Sequence, residues 1–241
     1  VIVGLPDTIV QESRERIRAA IKNTSFAYPV ARISINLAPG DLPKVGSHFD
    51  LAIALSILLA AKLIHFDPVG KIFIGELALD GRVRPCSGVL SMVLSAKKHG
   101  LKQVFVPAEN ASEAALVKAV EIMPVENLAE LLSHFLGQKL IQSKVRQGNL
   151  EQIQPTAIDM ADISGQSVAK RALLIAAAGF HNLRMIGSPG SGKTMLAKAL
   201  SGILPKLTDQ EILETTNIHS LAGQLREPYI TTRPVSYTHL R

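Results

Sequence analysis

Tryptophan is absent from the 241 residues, and aromatic residues of all kinds make up only 4%. The core is therefore expected to be aliphatic, since the rings that usually supply large buried area are nearly missing. Cysteine is as scarce. The single residue, Cys86, excludes an internal disulfide framework, suits a reducing compartment, and reads as a small buried or half-buried thiol. No basic segment precedes the apolar N-terminal residues, so no secretory signal is visible. Long apolar runs are also lacking. The longest, Leu51 to Ile64, is broken by Ser56 and Lys62 and falls short of the roughly 20 residues a bilayer span needs. It reads as a buried helix, and a cytoplasmic chain without a membrane partner is expected. No low-complexity tract or internal repeat occurs.

Apolar residues make up 47% of the chain, and its length suits two small domains or one large one. The formal net charge of +6 is unevenly spread. Residues 1–137 hold fourteen Lys and Arg against thirteen Asp and Glu, whereas from Gly165 onward there are nine against four. The excess could serve a polyanion, either a nucleotide or DNA; alternatively, acidic parts of that half follow position 241. The chain opens at Val1 without a methionine, inside what reads as a strand, which is expected of a piece of a longer protein.

One stretch organises the rest: Gly187-Ser188-Pro189-Gly190-Ser191-Gly192-Lys193-Thr194 has the form G-x-x-x-x-G-K-[ST], the phosphate-binding P-loop. Its glycines let the backbone curl so that successive N–H groups converge on phosphate oxygens. Lys193 brings a charge to the β- and γ-phosphates of ATP, and Thr194 offers a hydroxyl to the accompanying Mg²⁺. Leu183 to Ile186 before the loop is an apolar run expected to form a buried parallel strand. Met195 to Leu204 after it is expected to be a helix stopped by Pro205.

The first half reads as a mixture of helices and strands. Asp7 is expected to cap a helix whose apolar side is Ile9, Val10, Ile17, Ala20 and Ile21, with Glu12 and Arg16 paired on the wet side. The run Arg14 to Arg18 reads as a solvated face. Ala31 to Leu37 alternates as a strand. Ile72–Ile74 and Arg82–Arg84 are expected to pair as strands through an Asp80-Gly81 turn. Ser87 to His99 is a helix closed by Gly100, Val104–Val106 a strand, and Asn110 a cap for a helix reaching Val117. Glu121–Val125 is a strand and Leu128–Phe135 a helix. The expected organisation is an α+β domain over 1–137, a polar linker over 138–158, and an α/β nucleotide-binding domain over 159–241.

Both halves resemble the magnesium-chelatase-like AAA+ proteins of the YifB/ComM type. The matching stretches are Ile2-Val3-Gly4-Leu5-Pro6-Asp7, Asn36-Leu37-Ala38-Pro39, Phe49-Asp50-Leu51 with Ile53-Ala54-Leu55, and Gly75-Glu76-Leu77. In the second half they are Asp162-Ile163 with Gly165-Gln166, His181-Asn182-Leu183, the P-loop, and Ile218-His219-Ser220 with Ala222-Gly223. The resemblance implies an N-terminal domain similar to the Lon-protease/ribosomal-S5 fold, followed by the start of an AAA+ ATPase core. It also implies a hexameric ring, and adenine contacts from Ile163, Gly165 and Gln166. It places the acidic Walker B strand, the sensor residue and the arginine finger after position 241. Val235 to Arg241 departs from the family pattern, and those residues are assigned no function.

A Lon-like half raises the prospect of a Ser–Lys peptidase dyad. In Lon proteases the serine lies in Gly-Pro-Ser-Ala-Gly. Set on Gly46-Ser47-His48-Phe49-Asp50, the nucleophile position holds His48, with Ser47 one residue early. The lysine should follow Pro-x-Gly-Gly-x, yet Pro85-Cys86-Ser87-Gly88-Val89 is followed by Leu90. This half therefore reads as a non-catalytic interaction module, with His48 structural and Lys97 and Lys98 on a solvated helix face. Three uses of ATP follow from the resemblance: a motor on DNA, a remodeller of protein substrates, and a magnesium chelatase subunit, for which no porphyrin site is evident.

Overall fold

Asp7 sets the first helix. Its carboxylate accepts from the Val10 N–H at 2.7 Å, which starts α1 at Thr8 and carries it to Lys22. Val10, Ile17, Ala20 and Ile21 are buried along one side, together with Ser13, whose hydroxyl donates to the Val10 carbonyl at 2.7 Å. Ile9, expected on that side, is 45% exposed. The apolar run becomes α2, Asp50–Ala60, buried on nearly every side, as expected of a helix without a polar face. The computed structural model describes residues 1–145, 158–225 and 229. The chain divides into two compact units, one drawn from Val1–Gln147 and Thr216–Pro228, the other from Gly148–Thr215 and Tyr229–Arg241.

In the first unit β1 (Ile2–Val3) pairs in parallel with β2 (Ile35–Asn36). The strand expected over 31–37 is thus paired at only two residues, although Ile33, Ile35 and Leu37 all pack against the core. β3 (Lys71–Phe73) does not enter the expected hairpin. The Asp80-Gly81 turn closes β4 (Glu76–Leu77) onto β5 (Val83–Arg84), with Glu76 opposite Arg84. After α3 (Val89–Lys98) comes β6 (Gln103–Pro107), which lies between β3 and β7 (Glu121–Val125) in a three-stranded parallel sheet. Val104, Phe105 and Val106 are buried in succession, as a parallel strand covered on both faces requires.

The scarcity of rings does not make the core purely aliphatic. Four of the seven phenylalanines gather at one place, with Phe66 stacked on Phe135 at 3.9 Å and Phe73 on Phe105 at 4.8 Å between centroids. Asn110 does not cap the short helix α4 (Ala111–Ala114). Its amide instead donates to the Cys86 carbonyl and accepts from the Cys86 N–H, both at 3.0 Å, tying α4 to the segment before α3. Asn127 caps α5 (Leu128–Phe135), accepting from the Glu130 N–H at 2.8 Å. Beyond α5, Ile141 is 9% exposed and the Lys144 N–H donates to the Ile122 carbonyl, so residues up to 145 pack with the first unit. The rest of the expected linker, 146–157, lies outside the described residues, as does the departing tail.

The second unit holds a 3₁₀ turn at Met160–Asp162, α6 (Ser167–Gly179), α7 (Lys193–Ile203) and the start of α8 (Asp209–Leu221). Thr208 and Glu211 form a reciprocal capping box at the head of α8. Ile163, Leu173, Leu196 and Ala199 make a small core. The expected strand over Leu183–Ile186 does not form: a strand exists through a neighbour's backbone, and the described residues of this unit include no strand. Leu183 is 40% exposed and Ile186 82%. Among the described residues no helix is long and apolar enough to cross a membrane.

Candidate nucleotide site

The P-loop leads into α7 as its sequence requires. Gly190 and Gly192 take φ of 81° and 84°, values that bring backbone N–H groups round towards one point and that a side chain would strain. A Cβ on either glycine would meet nothing within 4 Å, so no protein atom fills the space over them. Gly192 stands at the N-cap of α7 and supplies no side-chain cap. The positive end of the helix dipole therefore faces the loop uncompensated by any side-chain oxygen.

Lys193 closes the arrangement. Its Nζ donates to the carbonyls of Gly187 at 2.9 Å and Ser188 at 2.8 Å, and to Ser191 Oγ at 3.3 Å. The ammonium thus lies along the loop rather than out in solvent. Thr194 follows in the first turn of α7, half-buried. Pro189 lies at the bend of the loop, between Ser188 and Gly190. Gln166 takes a left-handed conformation at the head of α6, and its amide donates to the Ser191 carbonyl at 3.4 Å. Gly165, beside it, has φ of 67°. Ile163 is 7% exposed and packs with Leu196 of α7, which joins the 3₁₀ turn to the helix carrying the loop.

This donor set suits a polyphosphate: a helix N-terminus without a side-chain cap, an ammonium, and a hydroxyl one residue later. Among the described residues no group of three or more His, Cys, Asp or Glu could hold a metal. A Mg²⁺ at this site would take Thr194 and the nucleotide's own oxygens.

The first unit holds a second polar group that sequence alone does not reveal. Arg16 turns away from Glu12 and grips Asp50 side-on, Nε to Oδ2 at 2.7 Å and Nη2 to Oδ1 at 3.1 Å. Asp50 also accepts from the Leu77 N–H at 3.2 Å, so one buried carboxylate ties α1, α2 and β4 together. The Arg16 guanidinium titrates above its ordinary value because of that bond. Nothing local marks the pair, since its members are 34 residues apart. Nearby, the Ser47 hydroxyl donates to Glu76, whose other oxygen lies 3.6 Å from Arg84. Burial lowers the His48 imidazole, with Asp7 opposing. Burial also pushes the Cys86 thiol up to about 11, so it is protonated and unreactive at neutral pH. Lys97 and Lys98 are exposed.

Two family models match, described as "Subunit ChlI of Mg-chelatase" over residues 1–110 and "Magnesium chelatase, subunit ChlI" over 159–240. The competence protein ComM of Haemophilus influenzae is 42% identical over 224 residues, covering 91% of this chain and 44% of its own. The YifB protein of Escherichia coli K12 is 39% identical over 230 residues, covering 92% of this chain and 44% of its own. A Lon protease of Rhizobium meliloti is 32% identical over 111 residues, 43% of this chain and 13% of its own. The chain spans less than half the length of the ComM and YifB relatives. With both models matched in order and each of those relatives aligned over at least 91% of its residues, the chain belongs to the magnesium-chelatase-like family of the YifB and ComM type.

Proposed function

We propose that the chain is the N-terminal and nucleotide-binding part of an AAA+ ATPase that, at full length, assembles as a hexameric ring and drives movement on DNA. The observation that carries the nucleotide assignment is the P-loop at the head of α7, with the Lys193 ammonium drawn onto the Gly187 and Ser188 carbonyls. ATP would supply a phosphoanhydride and, with its Mg²⁺, the negative charge these groups are arranged to meet. Lys193 neutralises phosphate, Thr194 takes the metal, and Gly165 and Gln166 lie on the adenine side. Ile163 supports them from the core.

DNA is favoured as the object of the motor by the competence-protein relative and by the positive balance from Gly165 onward. Remodelling of polypeptide is the second reading, favoured by the similarity to Lon protease. Fluorescence anisotropy of the full-length protein on labelled single-stranded, duplex and branched DNA, across a salt series with and without ATP, decides between them. The DNA reading expects binding indifferent to sequence, strengthened by ATP and steeply weakened by salt. No binding at low salt with ATP present would transfer the assignment to the remodeller.

A further inference from the structure

The first unit carries nearly balanced charge over residues 1–137, yet its cations are not evenly placed. A groove of about 850 Å³ runs between α1, Val1 and Ile2, and the segment from Tyr28 to Ile35, and Arg14, Arg18, Lys22 and Arg32 all line it. No aspartate or glutamate is among its lining residues. Arg14, Arg18 and Lys22 recur every four residues, which stacks them on one side of the helix about 6 Å apart along its axis. Arg16, between them, is directed elsewhere and committed to Asp50. All four lining cations are exposed, and among the described residues their one ion-pair contact is Arg14 to Glu15 at 4.0 Å, with both side chains more than 60% exposed. Such a contact is worth little and yields readily to a better anion.

The groove also has an aromatic floor. Tyr28 is half-buried against the core, and the Arg18 guanidinium lies 6.0 Å from its ring centroid. The guanidinium lies over a ring held in place by the core, and a flat base can stack on that ring by taking the guanidinium's place while Arg18 turns to a phosphate. Val30, at the rim, is fully exposed, and the Ser34 side adds a hydroxyl.

We infer that this groove is a binding surface for single-stranded nucleic acid, with phosphates along Arg14, Arg18, Lys22 and Arg32 and a base against Tyr28. A row of cations at helical-turn spacing meets the regular charges of a backbone, and the ring adds what an acidic peptide could not use. The inference deepens the DNA reading and rests on it, naming a surface outside the nucleotide site.

The test uses full-length protein and a labelled oligo-dT strand, followed by anisotropy across a salt series with ATP present. The variants are Arg14→Gln/Arg18→Gln/Lys22→Gln and, separately, Tyr28→Leu, with urea denaturation followed by circular dichroism as the control for folding of the first unit. Removing three phosphate contacts should weaken binding at least tenfold at moderate salt and flatten the log–log salt slope by about 2. Tyr28→Leu should weaken binding about five- to a hundredfold without changing that slope. A wild-type protein that binds no DNA overturns the DNA reading itself. A wild type that binds, with a triple variant of unchanged affinity and slope, overturns this surface alone. Equal displacement of the strand by polyglutamate, or an unaffected Tyr28→Leu variant, overturns nucleic acid as its occupant.

Discussion

Asp50 is a carboxylate in surroundings that its type does not prefer. Its side chain is 1% exposed, and Arg16, at 18%, is its one charged partner within bonding distance among the described residues. A carboxylate removed from water is tolerable only while the bidentate guanidinium and the Leu77 N–H meet it. Arg16→Met should therefore cost about 3 kcal/mol of stability, the low end of the range for breaking a buried pair, since Arg16 is not wholly enclosed. Arg16→Met combined with Asp50→Asn should recover a good part of that loss, because the amide removes the stranded charge and still accepts from Leu77. Urea denaturation of the two variants and of Asp50→Asn completes the cycle. Additive losses would show that the pair is not coupled.

At the scale of elements, legibility followed the range of the interaction. The head of α1 was readable because its determinants, Asp7 and Val10, are three residues apart; Asn127 caps α5 through Glu130 in the same way, although only the helix and not its cap was expected there. Strand partners were not. Whether Ile72 pairs with Arg84 or with Val104 depends on which element crosses the sheet, and an Asp-Gly turn says only that some hairpin closes there. Asn110 misled for a related reason, since the same amide can cap a helix or bridge a distant backbone. The turn of the P-loop into α7 was legible, because its conformation is written in eight consecutive residues. What it could not carry was its preceding strand, which needs a neighbour to pair with. Lys193→Ala should abolish most ATP affinity while leaving the fold intact, because the lysine's bonds to Gly187 and Ser188 are exposed and contribute little stability. Titration with a fluorescent ATP analogue checks this, alongside circular dichroism of the same variant. Unchanged affinity would remove the nucleotide assignment.

For the whole molecule, likeness to Lon protease and membership of a magnesium-chelatase-like family invite different functions, and a fold shared by several activities cannot choose between them. The site can. A serine nucleophile needs a base able to take its proton, and the Ser47 hydroxyl faces Glu76 rather than a lysine. Glu76 is itself shared, one oxygen accepting from the Ser47 hydroxyl and the other lying 3.6 Å from Arg84. The residue after Ser47 is an imidazole half-covered by the protein and tilted against the Phe49 ring at 4.1 Å between centroids, with no serine bonded to it among the described residues. We propose that the first unit serves as a surface for binding rather than for cleavage, because the Ser47 hydroxyl is bonded to Glu76. Full-length protein incubated with unfolded casein and ATP should accordingly release no peptides above the level of the Lys193→Ala variant. Cleavage that depends on ATP and disappears in Ser47→Ala would reverse the assignment, and would make Glu76→Gln the next variant to measure, since Glu76 is the base the hydroxyl touches among the described residues.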